Sequence, residues 1–149
     1  MFLTQPILQK IHQKCSLLEQ ECGRAIETSK WLTGQYAYSE IDKTILVRSV
    51  ERQFYLLIEW IVDIGNLLID TLIMRDPGSY EDIIMILEDE MVITTHNANQ
   101  LKRLTALRKL FVKEYDESLM YDWLNEITLV DEVLSFTQHI KAYGETQTQ

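Results

Sequence analysis

From Ile7 to Ile26 the apolar side chains Ile7, Leu8, Ile11, Cys15, Leu18, Cys22 and Ile26 return every three or four residues, the interval of one buried helical face. This pattern predicts a first helix over about 4–32. The stretch Thr33-Gly34-Gln35-Tyr36 ends it, with Gly34 suited to a left-handed cap because it carries no Cβ. A second periodic run covers about 39–75 and stops at Asp76-Pro77-Gly78, where proline lacks the amide a helix needs. Ser79 with Asp82 three residues later has the spacing of a capping box and opens a short third helix to about residue 90. Thr94 or Thr95 caps a fourth, reaching about Lys113. Glu117 or Ser118 begins a fifth, which Gly144 ends before the polar stretch ETQTQ. No internal repeat or low-complexity segment interrupts the chain. The expectation is a single domain over 1–143 with a polar tail over 144–149, and an all-α fold: an up-and-down bundle of about five helices.

The second helix says most about architecture. Its polar residues Glu59, Asp63, Asn66 and Asp70 are spaced four, three and four apart, so they share one narrow face, while almost everything else from Phe54 onward is apolar. A helix apolar around most of its circumference must be covered on several sides. In a chain of 149 residues that predicts the centre of a bundle together with a subunit contact, so a dimer formed through long helices. The acidic stripe is either the solvated edge of this helix or a set of carboxylates facing a cation across a cleft. The run Phe54 to Met74 is long enough to span a bilayer, but each acid at mid-depth costs about 2.5 kcal/mol or more, so no membrane helix is expected there.

Composition narrows the classes further. Apolar residues make up 46% and charged residues 25%, which excludes wholesale disorder, and five Gly with two Pro are too few for the turns of an all-β protein. A net charge of −9 excludes a surface built wholesale for nucleic acid. Cys15 and Cys22, seven residues apart on one helix, lie roughly 10 Å apart along its axis, too far for a disulfide. They read as buried apolar groups in a reducing compartment. The start MFLTQPILQK lacks the basic end and long apolar run of a secretion signal, so a cytoplasmic location is expected.

Against this acidic background, Val92 to Lys113 contains no acid and five cations: Lys102, Arg103, Arg108, Lys109 and Lys113. On a helical wheel Lys102, Lys109 and Lys113 fall within about 40° of one another. Arg108 points elsewhere, among Leu101, Leu104, Phe111 and Val112, and Tyr115 would share that face if the helix persists. A guanidinium there needs an anion. One solution is a core ion pair with the second helix, Asp63 first; the other is an arginine in a cleft that receives phosphate.

Several segments in order resemble the HepT-like family, a branch of the HEPN superfamily of small helical proteins. VERQFYLLIEWIVDIGNLLI (Val50 to Ile69) is similar to the family's second helix, and RDPGSYEDIIMIL to the turn and short helix after it. LRKLFVKEY (Leu107 to Tyr115) resembles the signature of leucine, arginine, asparagine, three mostly apolar positions, histidine, any residue and tyrosine. Trp123 and the closing helix from Asp131 to Ile140 follow the same order. The resemblance implies a homodimer whose two motifs face each other, a metal-independent endoribonuclease needing no metal or cofactor, RNA as substrate, and a nucleotidyltransferase-fold, MntA-like antitoxin that adenylylates the motif tyrosine. Carried over by position, Arg108 is the motif arginine and Tyr115 the adenylylation candidate, Lys109 replaces the asparagine, and Lys113 replaces the histidine. Arg108 and Lys113 are thus the catalytic candidates, Lys102, Arg108 and Lys109 the phosphate and RNA-binding candidates, and Glu59 and Asp63 the supporting carboxylates.

The lysine changes the chemistry. Cleavage without metal needs one group to take the 2′-hydroxyl proton and another to protonate the departing oxygen, and histidine suits both because it titrates near neutrality. Lysine, with a usual pKa of about 10.4, holds its proton and can stabilise charge but is a poor base. The sequence therefore predicts weak or absent ribonuclease activity, with His96 and His139 as substitutes only if folding brings them in. A non-catalytic nucleotide- or RNA-binding module and a purely structural dimer remain the alternatives.

Overall fold

A computed structural model describes residues 2–35, 40–113 and 125–148. Five α-helices carry these residues: α1 Gln5–Lys30, α2 Glu40–Thr71, α3 Tyr80–Asp89, α4 Thr95–Val112 and α5 Leu129–Thr146. Among the described residues there is no strand, only an isolated bridge between Leu3 and Thr148.

Local sequence marks three of the helix starts. Pro6 sits in the first turn of α1, where its missing N–H costs nothing. Ser79 accepts a hydrogen bond from the Asp82 amide at the head of α3, and Thr94 does the same for the Asn97 amide at the head of α4. After α1, Trp31–Gln35 form a wide turn in which Gly34 takes φ 89°, the left-handed conformation expected of it. Helix α2 stops at Thr71, short of residue 75, because Ile73 adopts φ 53° and the Met74 amide turns back to the Ile69 carbonyl at 2.9 Å. Residues 125–128 are turns and α5 begins at Leu129; Glu117 and Ser118, the expected start of a fifth helix, lie outside the described residues.

The far end of α5 also differs from expectation. Gly144 lies inside the helix and is buried, because a Cβ there would come within 3.0 Å of Leu8 Cδ1. The helix runs on to Thr146, and the Leu3 amide donates to the Gln147 carbonyl at 2.9 Å, so the polar stretch folds back against the start of α1. Glycine was thus a packing residue where the sequence alone suggested a stop.

Cross-helix contacts fix the directions. Lys14 pairs with Asp63 while Gln53 donates to Thr28 at 2.9 Å, so numbers fall along α2 as they rise along α1. Lys141 meets Glu19 at 2.6 Å and His12 meets Glu145 at 3.4 Å, which makes α5 antiparallel to α1. Helix α2 packs against α1, α3 and α4, as its broad apolar surface requires. Phe54, Leu57, Ile58, Ile61, Ile64 and Leu68 are fully buried along it, and each such side chain contributes roughly 1.5–3 kcal/mol. Gly65 lets α3 approach closely, since a Cβ would lie 2.7 Å from Ile83 Cγ2. Cys15 and Cys22 are buried without a disulfide, and loss of solvent pushes both thiols up to about 12.

The outward stripe of α2 is only partly covered by the bundle, which reaches it at Glu59 and Asp63. It reads Ile41, Ile45, Arg48, Arg52, Tyr55, Glu59, Asp63, Asn66 and Asp70, none of them buried, with cations in the first half and carboxylates in the second. No helix among the described residues is long and apolar enough to cross a membrane.

Candidate functional site

Arg108 lies in the last two turns of α4, opposite the middle of α2. Its Nε–H donates to Glu59 Oε1 at 3.2 Å, and its guanidinium carbon stands 4.7 Å over the ring of Tyr80. The Tyr80 hydroxyl in turn donates to Glu59, 3.0 Å from each carboxylate oxygen. Three helices therefore meet in one cluster: α2 gives the anion, α3 the aromatic plate and α4 the cation. The partner of Arg108 is Glu59 and not Asp63. Asp63 lies one turn further along α2 and pairs with Lys14, whose ammonium also stands 5.5 Å from the Trp60 ring. Together with Asp70 and Lys10 this pair lines a separate hollow between α1 and α2.

Neither of the alternatives weighed for Arg108 describes it fully. It is ion-paired, yet 35% of its side chain is exposed, so it is not a core arginine. No hydrogen bond among the described residues engages its two terminal Nη groups. Arg108 helps line a cleft of about 460 Å³ together with Tyr80, Thr105, Ala106, Lys109, Val112 and Lys113. Burial opposes the charge on Arg108, but the Glu59 hydrogen bond together with the electrostatic pull of Tyr80, Glu59 and Tyr55 outweighs it, and the guanidinium is held more firmly protonated than usual. Burial, then the hydrogen bond to Glu59, pushes the Tyr80 phenol upward, so it remains a donor at neutral pH.

Of the lysines expected to form one stripe, Lys109 and Lys113 share this cleft with Arg108. Lys102 does not: it turns to Glu88 of α3 at 3.8 Å. Lys113 caps the end of α4 and is exposed. Tyr115, the adenylylation candidate, and Trp123 lie outside the described residues. His96 cannot replace the missing histidine. It stands twelve positions before Arg108 on α4, roughly 18 Å along the axis, and contacts Glu132 at 2.9 Å. His139 belongs to the same distant group, close enough to lower the Glu132 carboxyl along with Asn97 and His96.

Sequence reasoning missed Tyr80. Its one signal was position, directly after the capping serine of α3. Asp82 is held there by Arg75 through two hydrogen bonds of 2.7 and 2.8 Å and by the Gly78 amide at 2.8 Å, so the first turn of α3, and Tyr80 with it, is fixed in place.

The arrangement offers a guanidinium held through Nε, in a cleft that Lys109 and Lys113 also line, a composition suited to a phosphodiester. The chain is similar to known proteins in both sequence and fold. A family model described as Ribonuclease HepT-like matches residues 22–140. A Bacillus subtilis (strain 168) protein named "Putative RNase YutE" is 42% identical over 104 residues, which cover 66% of this chain and 69% of that protein. The solved structure of the cytosolic B. subtilis protein YutE matches with a TM-score of 0.71 at 34% identity, over 98% of this chain and 94% of that one. A tri-AMPylated Shewanella oneidensis HEPN toxin, solved in complex with MNT antitoxin, shares the fold with a TM-score of 0.69 at 18% identity, over 94% and 99% of the two chains.

Proposed function

The chain belongs to the Ribonuclease HepT-like family, and on that premise we propose that it is the RNA-binding toxin component of a toxin–antitoxin pair, with ribonuclease activity weak or lost because Lys113 occupies the histidine position. The observation that carries this reading is the half-exposed Arg108, pinned by its Nε in a cleft shared with Lys109 and Lys113. In the proposed complex Arg108 grips the scissile phosphate and Lys109 and Lys113 neutralise the charge that builds on it. The 2′-oxygen bonds to phosphorus as its proton passes to a general base, the bond from phosphorus to the 5′-oxygen breaks, and that oxygen departs with a proton from a general acid. Lys113 can serve the second step but is a poor base for the first.

The test is cleavage of single-stranded RNA by wild type and by Lys113→His. Wild type is expected to bind RNA in a salt-sensitive manner with slow or undetectable cleavage, and the histidine to raise the rate on the order of 10²-fold, the usual yield of one well-placed acid–base group. Rapid cleavage by wild type, or absence of RNA binding, would overturn the proposal. Binding with no gain in the Lys113→His chain would favour a non-catalytic RNA-binding module. If Arg108→Ala lowers stability and leaves RNA binding unchanged, the arginine is purely structural.

The proposed working form is a cytoplasmic homodimer. The exposed part of the α2 stripe supports the dimer, because two copies laid antiparallel set exposed Arg52 of each toward exposed Asp70 of the other. The Shewanella complex supports an antitoxin of the nucleotidyltransferase kind as second partner. Tyr115 is then the proposed acceptor of AMP. Mass spectrometry of chain co-expressed with such a partner is expected to show the added AMP in wild type and not in Tyr115→Phe.

A further inference from the structure

A carboxylate and an arginine left to themselves form a two-pronged fork, both oxygens against two parallel N–H groups. That fork uses the edge of the guanidinium that a phosphate would need. In this structure the fork is absent. Glu59 receives Arg108 through Nε alone at 3.2 Å, while the Tyr80 hydroxyl lies 3.0 Å from both of its oxygens. The Tyr80 ring lies against the guanidinium, 4.7 Å from ring centre to the guanidinium carbon.

We propose that Tyr80 is a positioning residue that keeps Glu59 from closing a fork on Arg108, so that the Nη edge stays available to a phosphate group. The inference rests on the reading of Arg108 as a phosphate-binding arginine and gives that reading a local cause. Glu59 alone would neutralise Arg108; with Tyr80 sharing its oxygens, it orients the arginine instead. The location suits the role. Tyr80 is the first residue of α3, anchored by the Ser79 cap and by the Arg75–Asp82–Gly78 contacts just beside it, so the hydroxyl cannot drift with a flexible loop. The burial and hydrogen bonding that hold the phenol protonated keep it a donor throughout the neutral range.

Tyr80→Phe removes the hydroxyl and keeps the ring, and it separates positioning from packing. Two readouts are needed. The first is 15N NMR of the Arg108 side chain titrated with inorganic phosphate, which requires no RNA. Wild type is expected to show phosphate-dependent shifts of the Nη groups. In Tyr80→Phe those shifts should fall at least fivefold, and in the Tyr80→Phe, Glu59→Gln double variant they should return, because a neutral amide makes no charged fork. The second is affinity for a short single-stranded RNA across salt concentrations. One lost phosphate contact lowers the magnitude of the log–log salt slope by about 0.7. Tyr80→Phe should show that loss with far-UV circular dichroism unchanged, and the double variant should regain it. Unchanged phosphate shifts in Tyr80→Phe, or a double variant no better than the single one, would overturn the inference. If wild-type RNA binding fails while the phosphate titration behaves as described, the function proposed above falls and the role of Tyr80 stands.

Discussion

Glu59 accepts from an arginine and a tyrosine on two different helices, with 32% of its own side chain exposed. Replacing it with alanine leaves the Arg108 charge and the Tyr80 hydroxyl without their shared acceptor. The expected cost is about 1–3 kcal/mol in a denaturant titration, with Glu59→Gln intermediate because the amide oxygen still accepts one hydrogen bond. Asp63→Ala is expected to spare Arg108, since its cation is Lys14. The choice between these two acids was not legible in the sequence. Periodicity places Glu59 and Asp63 on the same face of α2, but the axial position at which α4 crosses that face depends on how α3 seats. Tyr80 was missed for the same reason. A tyrosine after a capping serine has no visible role until the helix it opens is docked. What the sequence did convey was the motif itself: an arginine on an apolar face needs an anion, and it has one.

The elements were more readable than their contacts. Two of the helix starts, at Ser79 and Thr94, carry capping chemistry that acts as expected. Glycine was the ambiguous letter. Gly34 terminates a helix through its positive φ, whereas Gly144 and Gly65 lie inside helices because a neighbour comes too close for a Cβ. Gly65→Ala forces its methyl to within 2.7 Å of Ile83 and 3.3 Å of Leu87. It is expected to destabilise by about 1–3 kcal/mol on thermal or chemical unfolding, and, by lifting α3 from α2, to weaken phosphate binding as well. At the other side of α3, hydrogen bonds from Arg75 and the Gly78 amide hold the Asp82 carboxyl down to about 2. Because its folded value lies below the unfolded one of about 3.9, its stabilisation is complete above about pH 5 and disappears as pH falls toward 2. The melting temperature of Asp82→Asn should therefore lie below wild type at neutral pH and converge with it in acid.

For the whole molecule the consequential feature is the polarity of the α2 stripe. Exposed Arg52, with its guanidinium 5.1 Å from the Tyr55 ring, lies in the basic half, and exposed Asp70 in the acidic half. If copies pair antiparallel, Arg52→Glu and Asp70→Lys should each weaken self-association, seen as a shift toward monomer in sedimentation equilibrium. An equimolar mixture should recover it, because each chain supplies the charge its partner now requires. Recovery on mixing separates complementary pairing from a general loss of folding.

The two native thiols bear on how such pairing can be measured. Both lie in the dry interior and hold their protons up to about 12, so neither should react with a maleimide while the chain stays folded. A cysteine introduced on an outward turn of α2 would then be the sole position to take a spin label. Its echo would report a single separation, that between two neighbouring molecules, against a silent background.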